Sequence, residues 1–487
     1  MFQRIPSVQE LLESAPLKNL VEQANRAAVV SGVRSFVDRL TRAAQTAAED
    51  FQVPSPTELA QRVADWINAE RERGIRPVIN ATGVVLCDAL GGAPLAADVV
   101  AQTAASGDNY ASYGMDLANG RPVDRTALVT RLLAERAGAE DALIVANLPA
   151  AVMTAASAHA GYRTPFALLS HISDAKRRMD RWFECLSDGP LAGVGSVNAV
   201  SLDEIQAVLG DAPLADEDGG VFLWAPPVSF RLQGQVALPS LSEVAGVCRE
   251  TGVTLIAIPP LATLTDPTRW GLAKAFCVAA TLSAGADLVI FAGDGLIGGP
   301  PCGLMVGRKA AIEPVRSHPL LEAFPPATHD LAGLEAALRL HADADTAGQN
   351  IPAVSLLTAP ADNLKLRAER MAEQLAAADW VESAAAVQTP GWLSDHRLPG
   401  EEIAGWGVRL TAKPELHDLY DWLRRRRPAI VTDTTCDSCP SDASDPAAKR
   451  TVTLNLRSVL ARQDVTLTEL LEDLRPSEER RQDEHGE

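Results

Sequence analysis

Positive charge is in short supply. Acidic residues number 63 against 44 lysines and arginines, a formal net charge of −19. A protein that holds nucleic-acid phosphates needs local cations whatever its total, so this balance speaks against RNA binding over most of the surface. Lysine is the scarcest cation: Lys18, Lys176, Lys274, Lys309, Lys365, Lys413 and Lys449 are the full set. Chemistry that needs a side-chain amine must draw on that short list. No run of about eighteen uncharged apolar residues occurs, which excludes a membrane-spanning helix. The cysteines, at 87, 185, 248, 277, 302, 436 and 439, are scattered rather than framed as a disulfide scaffold, and MFQRIPSVQELLES lacks the layout of a secretory signal. A cytoplasmic location is expected. There is no second CxxC to complete a zinc site with Cys436 and Cys439, and no GxGxxG or GKS beside Gly298-Gly299 to make a phosphate cradle.

What is present reads as several units, since 487 residues exceed one ordinary core of about 150. Residues 1–76 read as a helical module. Ser7 to Glu10 and Ser55 to Glu58 are capping boxes, and Leu59, Val63, Trp66 and Ile67 recur at helical spacing. One further helix is predicted over roughly Leu20 to Ala48. Between 77 and 327, short apolar runs (Ala142–Val145, Phe166–Leu169, Val221–Trp224, Leu255–Ile258, Leu288–Phe291) alternate with helical patterns. Runs without alternation suit strands buried on both faces, so an α/β domain with a mostly parallel sheet is expected. Residues 328–475 read as a smaller α+β domain, and 476–487 as a charged, disordered tail.

The richest segment is Ile290 to Gly307, IFAGDGLIGGPPCGLMVG, an apolar strand followed by a polar turn and a Gly-Gly-Pro loop. It resembles IxFSGDKxLGGPQAGIIVG of the bacterial selenocysteine synthases, the L-seryl-tRNA(Sec) selenium transferases. Further matches follow in order: RIPSVQELL, RPVINATGVV (Arg76 to Val85), DLANGR (Asp116 to Arg121), RLPGEE (Arg397 to Glu402) and NLRSV (Asn455 to Val459). The resemblance covers nearly the whole chain. It implies fold type I of the pyridoxal phosphate (PLP) enzymes, an N-terminal module that the family uses to hold tRNA, and homodimers or larger ring-shaped homo-oligomers.

The family's chemical positions are altered here. Its Schiff-base lysine falls on Gly295, which has no amine to condense with an aldehyde. Its pyridine-pairing aspartate falls on Ile258, and its Asn-rich turn keeps only Asn147, with Pro149 removing a backbone donor. His171 stands where many fold type I enzymes stack a ring on the cofactor. With Asn147 and the retained Asp294 it forms the expected remnant of the cofactor pocket. Arg121, Arg125 and Arg231 match family arginines, and are read either as an anion site or as partners of nearby carboxylates.

The expectation is therefore a selenocysteine synthase-like protein that has lost Schiff-base chemistry, has no cofactor and acts as a binding, scaffold or regulatory paralogue. The alternative is an active PLP-dependent seryl-tRNA(Sec) selenium transferase, or related amino-acid transferase, with a relocated lysine at Lys176 or Lys274. The resemblance implies tRNA as a partner and the charge does not support it; no membrane partner is expected.

Overall fold

The structure, a computed structural model, describes residues 6–23, 26–46, 55–71, 74–124, 126–160, 164–173, 191–211, 220–227, 229–398, 400–416, 418–433 and 449–472. The predicted tail, 476–487, lies outside them. Two compact units form, Met1–Val78 and Ile79–Glu487.

The first unit is helical, as its patterning dictates. The Ser7 hydroxyl accepts from the Glu10 amide, and the Glu10 carboxylate accepts from the Ser7 amide at 2.7 Å, closing the box that starts Val8–Leu12. Where one helix is predicted over Leu20–Ala48, the chain forms two, Ala15–Gln23 and Arg26–Thr46. With Pro56–Arg71 these helices bury Leu11, Leu17, Val29, Val33, Leu59, Val63 and Ile67 in one core. Each such side chain contributes about 1.5–3 kcal/mol by leaving water.

The second unit opens with strands β1 (Val78–Ala81) and β2 (Val84–Leu86). Its main sheet comprises β3 (Asp141–Val145), β4 (Phe166–Leu168), β5 (Ala192–Val194), β6 (Val221–Trp224), β7 (Thr254–Ala257), β8 (Leu288–Ala292) and β9 (Gly303–Gly307). They lie in the order β3-β9-β8-β7-β6-β4-β5, with β4 to β8 parallel and β9 antiparallel to both its neighbours. All five predicted runs lie in this sheet; β5 and β9 are additions. Both faces are buried, so successive side chains feed opposite layers. Ile256 and Ile258 join Leu223, Ile290 and Met305 on one side, whereas Ala257, Val289, Phe291 and Leu304 pack on the other.

Packing continues past the predicted boundary at 327/328. Leu331, Leu334 and Leu338, on the helix Thr328–Leu340, belong to the same core as Val289 and Phe291. The chain then adds β10 (Val381–Gln388), β11 (Trp392–Ser394), β12 (Trp406–Ala412), β13 (Ala429–Thr432) and β14 (Thr451–Asn455). β10, β12 and β14 form an antiparallel sheet, β13 pairs with β1, and β11 runs parallel to β2. Thus two motifs far apart in the chain meet. The Ser458 hydroxyl donates to the Asn80 carbonyl at 2.9 Å and accepts from the Gly83 amide at 2.8 Å. Next to it Arg457, 2% exposed, donates to the carbonyls of Leu356 and Ala359, both at 2.8 Å, and to that of Ala404. A buried guanidinium is tolerated because carbonyl oxygens take up donors on both its Nη1 and Nη2, although its Nε is buried without a partner. Among the described residues no helix is long and apolar enough to cross a membrane.

Candidate functional site

In a sheet of this topology ligands gather beyond the carboxyl ends of the parallel strands. There the loop after β8 carries Asp294 and Gly295. It is tied down by its own backbone: Gly293 N–H donates to the Cys302 carbonyl at 2.8 Å, and Gly299 N–H to the Gly293 carbonyl at 2.9 Å. Gly298 is required on two counts, a left-handed φ of +80° and a Cβ that would stand 2.8 Å from Ile351 Cγ2. Gly295 differs. A Cβ at Gly295 would have Leu86 Cδ1 at 3.9 Å as its one close neighbour, so there is room for a side chain. Its φ of +61° lies in the left-handed region, which costs an L-residue about 1–2 kcal/mol.

Behind this loop stands His341, 5% exposed, which the sequence reading overlooked. Its Nε2 donates to the Ile297 carbonyl at 2.9 Å, and its Nδ1 accepts from the Thr265 hydroxyl at 3.3 Å. Burial pushes its pKa down to about 4, so the ring is neutral and this tautomer is fixed by the carbonyl it faces. A histidine ending a helix reads as a cap; nothing in the sequence ties it to residue 297.

Asp294 is exposed at its surface, yet the protein around it strips enough water to raise its carboxyl above the usual range, with Asp88 adding repulsion. Asp88 in turn donates its amide to the Asp395 carboxylate at 2.6 Å. His171, 4% exposed at the end of β4, accepts from the Ala225 amide at 3.2 Å and meets Trp224 edge-on at 4.7 Å. Ile258 extends β7 by donating its amide to the Trp224 carbonyl at 2.8 Å, and its side chain is 3% exposed within the core. Asn147 is exposed; its side-chain oxygen accepts from the Ala150 amide at 2.9 Å, capping the helix Leu148–Ala160.

The arginines do not converge. Arg231 is ion-paired with Glu401 of the RLPGEE motif, which leaves an anion to compete with a carboxylate. Arg121 is exposed on a turn closed by Asn119 and Asp116, and forms no ion pair among the described residues. Arg125, Lys176, Cys436 and Cys439 lie outside the described residues. Lys274 is exposed near Asp266, whose carboxyl is held low mainly by the Thr268 hydroxyl and amide and to a lesser degree by the charge of Lys274. Among the described residues no group of three metal-ligating side chains occurs.

Covalently bound PLP requires an amine on the protein and a carboxylate for the ring nitrogen. The side chains at 295 and 258 supply neither: one position is a glycine, the other an isoleucine inside an apolar core. They do not fit the covalently anchored cofactor.

Comparison with known proteins nevertheless points to that cofactor. Residues 78–439 match the family model "L-seryl-tRNA selenium transferase", and residues 2–40 match "Selenocysteine synthase N terminal". The chain is similar to the L-seryl-tRNA(Sec) selenium transferase of Geobacter sulfurreducens, 33% identical over 77% of this chain and 80% of the relative. It is also similar to that of Hyphomonas neptunium, 30% identical over 88% of this chain and 92% of the relative. Among solved structures, D-glucosaminate-6-phosphate ammonia-lyase matches the fold with a TM-score of 0.52, at 19% identity, over 83% of this chain and 97% of the other. The expectation of no cofactor is thereby corrected: the family that the chain matches is PLP-dependent, and PLP is the group to which it points. Loss of the amine does not entail loss of the cofactor, because a phosphate and a ring can be held without a covalent bond.

Proposed function

Given that the chain belongs to the L-seryl-tRNA selenium transferase family, we propose that it is a member without its own Schiff-base chemistry, retained for binding, scaffolding or regulation. The observation that carries this reading is Gly295, a residue with room for a side chain and none present. Ile258 supports it, because an aliphatic core side chain offers no counter-charge to a protonated ring nitrogen. On this reading PLP, when present, is held by shape and hydrogen bonds alone. Asn147, His171 and Asp294 are the polar groups nearest that role, and Arg121 and Arg125 remain candidates for an anionic ligand.

The relatives are named for L-seryl-tRNA(Sec). For this chain, with its net charge of −19, a protein or small-molecule partner is favoured over tRNA. It is proposed to work in the cytoplasm as a homodimer or larger ring of copies.

The test is reduction of the PLP-treated protein with borohydride, followed by peptide mass spectrometry. No pyridoxyl group is expected on any lysine of the native chain. Gly295→Lys should gain one at residue 295. A labelled lysine in the native protein, at Lys176 or Lys274 for instance, would establish the competing reading, an active transferase with a relocated amine.

A further inference from the structure

At the opposite end of the large sheet lies a second concavity, with a volume of about 330 Å³. It is walled by Thr254 at the start of β7, Asp287 just ahead of β8 and Arg308 just after β9, and by His159, Cys248 and Arg249 from the flanking helices. The loop of Gly295 leaves β8 at its other end. At about 3.3 Å per strand residue, the two places are roughly 15–20 Å apart.

The charges of this cavity can be paired off one by one. Asp287, 9% exposed, accepts from the Leu255 amide at 2.8 Å and is ion-paired with Arg308. His159 Nε2 donates to the Ala311 carbonyl at 2.8 Å and Nδ1 accepts from the Thr254 hydroxyl at 3.3 Å; burial lowers its pKa, so it adds no charge at neutral pH. Burial likewise pushes the Cys248 thiol up to about 12, so it is not a thiolate. Arg249 is left over. Among the described residues it has no ion-pair partner, and it leans over Gly285, where a Cβ would stand 3.5 Å from its Nη2. The cavity therefore carries a surplus positive charge in a strongly acidic protein. Ala245, Val253 and Pro314 complete the wall with apolar surface.

A planar guanidinium beside apolar walls matches a small organic oxyanion, with the carboxylate or phosphate on the arginine and the carbon body on the apolar side. We infer that this cavity is a binding site for a small organic acid or phosphate monoester, anchored by Arg249. Nothing in this inference depends on the chemistry at Gly295.

Isothermal titration of the full chain with inorganic phosphate and, separately, with butyrate tests it. Binding of either probe is expected, and the tighter of the two names the head group. Arg249→Gln should weaken it by about tenfold or more, the loss of one charge-assisted contact, with an unchanged circular dichroism spectrum and melting temperature. Asp294→Asn, at the other end of the sheet, should leave it unaltered. Absence of heat with both probes, undiminished binding by Arg249→Gln, or loss of binding in Asp294→Asn would each overturn the assignment.

Discussion

Residue 341 illustrates how a single buried ring couples the candidate site to pH. His341 is neutral in the folded protein because burial holds its pKa near 4, against about 6.5 for an exposed histidine. Between those values the unfolded chain takes up a proton that the folded chain refuses, so stability falls as pH drops from 6.5 towards 4. The full loss is roughly 3 kcal/mol. His159, also held low by burial, acts in the same direction. Urea denaturation at pH 7 and pH 5 should show the decline, and His341→Gln should flatten it while lowering stability at pH 7. An identical pH dependence in that variant would remove His341 as the cause. At residue 295 the borohydride experiment asks the chemical question; at 341 denaturation asks what holds the loop in place.

At the scale of elements, β9 is the strand on which the candidate site's framework turns, because it pairs with both β3 and β8. Its first residue, Gly303, lies so close to β3's exit that a Cβ would meet the Asn147 carbonyl oxygen at 2.1 Å. Gly303→Ala should therefore destabilise the protein by roughly 3 kcal/mol, as overpacking against fixed backbone does, whereas Gly295→Ala should cost only the left-handed backbone penalty of about 1 kcal/mol. Equal midpoints for the two variants in thermal melts would contradict this account. The same strand marks a limit of sequence reading. Val221–Trp224 and Leu288–Phe291 were legible because a strand buried on both faces leaves an unbroken apolar run. GLMVG, bracketed by glycines, offers only three apolar residues in a row, and its antiparallel direction is written nowhere in its residues. Ala192–Val194 is too short to carry a period, and Val381–Gln388, rich in alanine and half exposed, lacks one. The chemical losses at 295 and 258 were readable as residue types. The room beside Gly295 and the support of its loop by His341 were not, because they depend on Leu86, Ile297 and Thr265, brought together only by the fold.

Across the whole molecule, exposed apolar side chains are unevenly spread. Val100, Tyr110, Met115, Leu117, Val123 and Leu128 are all exposed within one stretch that includes the DLANGR turn. Such a concentration is unusual on a solitary surface and is where the proposed pairing of copies would bury most apolar area. Light scattering should report a dimer or a larger ring for the native chain, and Tyr110→Asp with Leu117→Asp should shift it towards a single copy; a native protein that runs as one copy at micromolar concentration would defeat the proposal. A different consequence follows from the clasp between Asn80, Gly83 and Ser458. Almost the entire polypeptide must leave the ribosome before its opening strands acquire the partners that complete them. Premature termination ahead of Ser458 should thus leave Asn80 and Gly83 without this partner, handing proteases a long product whose second unit is unfinished at its start.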